Sequence, residues 1–105
     1  MHYRTALPLL LAAAVVALPA QASEAIAKKA RCIACHAVDK KMVGPAYREV
    51  AAKYRGDASA PARLADKVRQ GGGGVWGQVP MMPHPADKIG DEDLKAVIAW
   101  VLALE

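Results

Sequence analysis

Near the end of the chain, apolar positions recur at helical spacing: Leu94, Val97, Ile98, Val101 and Leu102 fall at i, i+3, i+4, i+7 and i+8. A stripe of this kind covers one face of an amphipathic helix, and Asp91 stands where a cap is wanted. A second stripe, Tyr47, Val50, Ala51 and Tyr54, has the spacing i, i+3, i+4, i+7. Gly44-Pro45 predicts its start, because proline in the first turn gives up an N–H that has no partner there. Gly56 predicts its end, since glycine takes up the left-handed conformation that closes many helices. Ser23 and Glu24 predict an earlier helix, capped at Ser23 and running through Ala25, Ile26 and Ala30 into Cys32 and Cys35. Asp57 or Ser59, followed by Pro61, opens a shorter third helix with Leu64 and Val68 inward and Gly71 as its stop.

The stretch before the last helix breaks the pattern. Gly71 to Gly74 form a joint, and Val75 to Pro85 is too rich in Pro and Gly for regular helix or an inner strand. No run alternates with period two. The expectation is an all-α domain of four helices and one long loop. A loop of this length without its own secondary structure is usually functional or disordered, and Trp76, Met81 and Met82 argue for a buried, functional one. Trp100 lies off the centre of the last stripe and is expected at the edge of the core.

The beginning of the chain stands apart. Met1-His2-Tyr3-Arg4, an apolar run from Ala6 to Leu18 and then Pro19-Ala20-Gln21-Ala22 have the layout of a secretory signal peptide. Pro8 and Pro19 bracket too few apolar residues for a membrane span, which takes about 20. Residues 1–22 are therefore read as a leader cleaved after Ala22, and residues 23–105 as the domain.

So short a domain, with no Phe, can bury little apolar surface on its own. Chains of this size commonly need a disulfide, a metal or a cofactor. The net charge is +4 and falls by one when Arg4 leaves with the leader. The basic residues are scattered among acids rather than clustered, which excludes a nucleic-acid surface. A mildly basic face fits docking to an acidic partner as well as ordinary solubility, and the excess is too small to choose.

The candidate chemistry lies in Cys32-Ile33-Ala34-Cys35-His36. Two cysteines three apart, followed at once by histidine, read as a site for covalent haem attachment. Each thiol adds to one vinyl group, and the adjacent histidine can bind the iron through a ring nitrogen. A thioredoxin-like motif expects a strand and a βαβ pattern around it, and neither is present. A zinc site needs four ligands, and these are the only two cysteines. A plain disulfide leaves His36 without a task. Haem attachment to this motif takes place in the bacterial periplasm, so the leader and the motif support each other.

A second iron ligand is then needed, and the candidates are Met42, Met81, Met82 and His84. Met42 is too close to the motif to reach the opposite face readily. Met81 sits in Val79-Pro80-Met81-Met82-Pro83, where the prolines reduce the freedom lost on fixing one side chain. A thioether raises the potential and keeps oxygen off the iron. A peroxidase-like enzyme would need an open position and a distal acid–base group, for which only His84 is available.

Beyond the pentapeptide, Ala34-Cys35-His36-Ala37, Lys41-Met42-Val43-Gly44-Pro45-Ala46-Tyr47, Val50-Ala51-Ala52-Lys53-Tyr54, Gly74-Val75-Trp76-Gly77, Val79-Pro80-Met81 and Trp100-Val101-Leu102 resemble the small bacterial class I cytochromes of the c-551 type, the cytochrome c8 family. The resemblance covers the whole predicted domain. It implies four to five short helices wrapped around one haem c, thioether links at Cys32 and Cys35, and His36 and Met81 as axial ligands. It also implies that the Pro45 carbonyl accepts the His36 ring N–H and that the Trp76 indole donates to a haem propionate. The function implied is that of a periplasmic, monomeric electron carrier, not an enzyme. Its partners would be a donor cytochrome or membrane complex and an acceptor nitrite reductase or cytochrome oxidase. Met82 departs from the family, where a proline is usual, and the four glycines replace a more varied stretch.

Overall fold

A computed structural model describes residue 3, residues 6–10 and residues 20–105. The predicted leader falls largely on residues outside those described. Among the described residues, no helix is long and apolar enough to cross a membrane.

Among the described residues, four helices and one two-stranded ribbon make up the fold. They are α1 (Ala20–Lys29), a 3-10 turn (Cys32–Ala34), α2 (Tyr47–Lys53), α3 (Ala60–Gln70), β1 (Gly72–Gly74), β2 (Gly77–Met81) and α4 (Asp91–Leu102). α4 is the hub, packing against α1, α2 and α3. Its predicted stripe is the core: Leu94, Val97, Ile98 and Val101 are buried with Ala30, Tyr47, Val50 and Ile89. Leu64, Val68 and Trp100 pack against that cluster from its edge.

Several boundaries differ from the expected ones. Ser23 is buried inside α1 rather than capping it, because the helix continues back through Ala20-Gln21-Ala22. α1 also stops before the cysteines. Arg31 takes the left-handed conformation (φ 66°), and a separate 3-10 turn carries Cys32. Pro45 lies just before α2, whose N-cap is Ala46, and Gly56 (φ 79°) sits one position later than predicted. Gly90 is the N-cap of α4, and Asp91, Glu92 and Asp93 fill the first turn, where their charges face the positive end of the helix dipole. At α3 the Asp57 carboxylate accepts from the Ser59 amide (2.9 Å) and hydroxyl (2.7 Å), so Asp57 braces the helix start.

The expected all-α fold is found, with one addition: the stretch read as a loop carries a small two-stranded ribbon. β1 and β2 pair antiparallel, Gly72 opposite Met81 and Gly74 opposite Gly77, with a bulge between. Glycines have no side chains to alternate, so β1 leaves no period-two signal. Pro80 is compatible with β2 because each strand of a two-stranded ribbon has one unpaired edge. The expected burial of this segment is also only partly met. Met81 is half-buried, while Trp76 and Met82 are exposed.

Candidate functional site

The left-handed turn at Arg31 ends α1 and starts the tight coil of the motif. The Cys32 carbonyl then accepts from the amides of both Cys35 (3.1 Å) and His36 (3.0 Å). Both thiols are free and half-buried. Burial raises the Cys32 thiol above its ordinary value, partly offset by the Tyr47 hydroxyl that faces it. Tyr47 is itself raised well above the usual phenol range, by burial first and by the neighbouring thiols second.

The His36 ring is held on several sides. Its Nδ1 lies 2.9 Å from the Pro45 carbonyl oxygen. A carbonyl only accepts, so Nδ1 carries the proton and Nε2 keeps its lone pair, the tautomer a metal needs. Tyr47 stacks on the imidazole, with centroids 5.0 Å apart and 16° between planes. Trp100 meets Tyr47 edge-on at 5.8 Å. Gly44 also lies close against the ring: a Cβ there would lie 2.4 Å from His36 Cε1 and within 2.9 Å of both ring nitrogens. The backbone brings these residues together, with the Gly44 amide donating to Cys35 O (2.8 Å) and the Tyr47 amide to Ala37 O (2.9 Å).

The methionine segment is built differently. Met81 ends β2, and its carbonyl lies against Gly71, where a Cβ would come within 2.4 Å of it. Gly71 has φ 69°, which any larger residue would adopt under strain. The His84 amide donates to Val68 O (2.9 Å), and His84 Nδ1 lies 2.8 Å from Met82 O. His84 is thus engaged within its own loop. Met82 is 71% exposed, and Met42 lies in the loop that returns to the motif. Trp76, at the tip of the ribbon, has Lys53 Nζ 5.5 Å from its ring centroid, within reach of a cation–π contact.

One surface feature joins the two halves. Within residues 20–105, every exposed large apolar side chain belongs to one of them. Ile33, Met42 and Val43 flank the histidine, and Val75, Trp76, Val79 and Met82 belong to the methionine segment. Exposed large apolar side chains confined to two segments mark a binding surface. An imidazole nitrogen with a free lone pair, two free thiols and a thioether fit a haem c, a large apolar plate with an iron that takes nitrogen and sulfur ligands. The sequence singled out the motif, Pro45, Met81 and Trp76. It missed Gly44, which only its spacing from the histidine could have flagged, and it saw Tyr47 only as part of a stripe.

A family model for cytochrome c matches residues 20–105. The chain is 50% identical over 92 residues to cytochrome c-551 of Allochromatium vinosum, spanning 88% of this chain and 96% of that one. It is 47% identical over 93 residues to cytochrome c-552 of Nitrosomonas europaea, spanning 89% and 88%. The crystal structure of wild-type Nitrosomonas europaea cytochrome c552 superposes with a TM-score of 0.71 at 48% identity, covering 78% of this chain and 99% of the other.

Proposed function

From a chain that belongs to the cytochrome c family and takes haem c as its cofactor, we propose an exported one-electron carrier that works in the periplasm between a respiratory donor and a terminal reductase or oxidase. Cys32 and Cys35 would hold the haem through thioethers, and His36 and Met81 would ligate its iron. The group, when bound, supplies a one-electron iron couple. The chain's own residues decide what that couple can do. Pro45 fixes the His36 ring and makes Nε2 the more basic, which strengthens the iron bond. Met81 would complete the iron's ligands, which would leave no site for oxygen or peroxide and no bond to a substrate. The Trp76 indole N–H is available to a propionate, and the apolar residues around it lower the local dielectric and so tune the potential.

The observation that carries this reading is the pairing of the preset His36 Nε2 with apolar surface confined to the two segments around His36 and Met81. Met81 is preferred over Met82 because Met81 is half-buried and its backbone is fixed against Gly71. The leader and the family resemblance support export. The resemblance also supports a nitrite reductase or cytochrome oxidase as acceptor. The test is the oxidised spectrum of haem-loaded protein with each methionine removed. Met81→Ala loses the weak far-red sulfur-to-iron band and its potential falls, while Met82→Ala keeps both. The reverse outcome assigns the ligand to Met82, and a high-spin spectrum in the wild type rules out the carrier.

A further inference from the structure

Arg69 has no part in the iron site as described. It projects from the last turn of α3, and its side chain is only 23% exposed. One of its nitrogens, Nη1, donates to two backbone carbonyls, His84 O at 3.1 Å and Ile89 O at 2.6 Å. The other, Nη2, lies 2.6 Å from the Asp91 carboxylate at the start of α4. The three acceptors come from the two ends of the segment joining β2 to α4. The guanidinium therefore closes that segment into a loop and ties it to α3 and α4.

The same turn of α3 holds the segment at two further points. Val68 O accepts the His84 amide, and Gly71 packs directly on the Met81 carbonyl. β1 continues directly from Gly71, and its Gly72 stands opposite Met81 in the ribbon. A displacement of the backbone from Met81 to His84 away from α3 would carry Met81 off the iron. That motion breaks the bonds at His84 and opens the loop that Arg69 closes. Hydrogen bonds from a charged donor to half-buried carbonyls are among the stronger ones a protein makes.

We propose that Arg69 is a positioning residue for the methionine ligand, a latch whose guanidinium sets how often Met81 leaves the iron. This rests on Met81 being the distal ligand. Only a planar donor with several N–H groups can serve His84 O, Ile89 O and Asp91 together, so lysine is an incomplete replacement. Arg63 is a same-helix contrast. Its partners are Asp57 and Ser59 at the far end of α3 and the Tyr54 ring, all outside the methionine segment.

The experiment uses oxidised, haem-loaded protein and free imidazole as the probe. Imidazole can bind only when Met81 has left, so its limiting rate reads the opening of the segment. The wild type must first show the far-red methionine band, and its absence would overturn the ligand assignment rather than the latch. Arg69→Met is expected to raise the limiting rate at least tenfold while the resting band persists. Arg69→Lys is expected to raise it by a smaller factor, and Arg63→Met to leave it unchanged. An unchanged rate in Arg69→Met overturns the proposal, as does an equal rise in Arg63→Met, which would mean general destabilisation. If Arg69→Met does not load haem, Arg69→Lys decides, and a rate within error of wild type overturns the latch.

Discussion

The two sides of the site fix their donor atoms by opposite means. His36 is held by direct contact: a carbonyl on Nδ1, an aromatic ring on one face and a bare backbone at Gly44. Met81 is restrained differently. Its restraint lies in the main chain and comes from behind, through Gly71, Val68 and Arg69 of α3. Such a division suits the two ligands. An imidazole must present one nitrogen in one orientation, so its ring has to be clamped. A thioether has a flexible stem and needs only its backbone brought to the right distance. The histidine side is therefore expected to be the rigid half, and the methionine side the half that opens.

The largest test removes the tether common to both. Cys32→Ser with Cys35→Ser should yield protein that keeps no haem through acid–acetone extraction, and retained haem would refute covalent attachment. Next come the two glycines, which break the sides separately. Gly44→Ala drives a methyl into the imidazole and should cost about 1–3 kcal/mol in denaturant unfolding. It should also disturb the histidine-ring resonances while the methionine band survives. Gly71→Ala combines a comparable clash with a strained φ and should weaken the methionine band while leaving the histidine resonances alone. If the two variants gave the same spectroscopic change, the sides would not be independent.

The smallest effect concerns the far end of α3, which bears on the methionine side only through that helix. Hydrogen bonds from Ser59, with help from Arg63, hold the Asp57 carboxyl below its ordinary value of 3.8. A depressed carboxylate stabilises the fold above its unfolded-state value, and that contribution disappears as pH falls through the folded-state value. Asp57→Asn should therefore lower the unfolding midpoint slightly at pH 7, and by less as the pH falls below 3.8. A shift that persists in acid would mean the side chain acts through packing instead.

Much of this was legible in the residues because the histidine side is local in sequence. Cys32, Cys35 and His36 are consecutive or nearly so, and the stripes in α2 and α4 announce the core directly. The methionine side depends on contacts between distant residues. Arg69 looks like any other basic residue until its acceptors at positions 84, 89 and 91 are known. The ribbon was illegible for another reason: a strand of three glycines has no side-chain alternation to read. Ser23 misled because a good capping residue is a local preference, and a helix that already has a turn before it has no need of a cap there.

Gly44 carries a different kind of information from its neighbours. What is specified at that position is an empty volume, and the specification comes from a ring eight places earlier. Once histidine is chosen at 36 and its Nδ1 is committed to Pro45, the choice at 44 has already been made. Anyone redesigning this chain can treat 36, 44 and 45 as a single letter, written in three places.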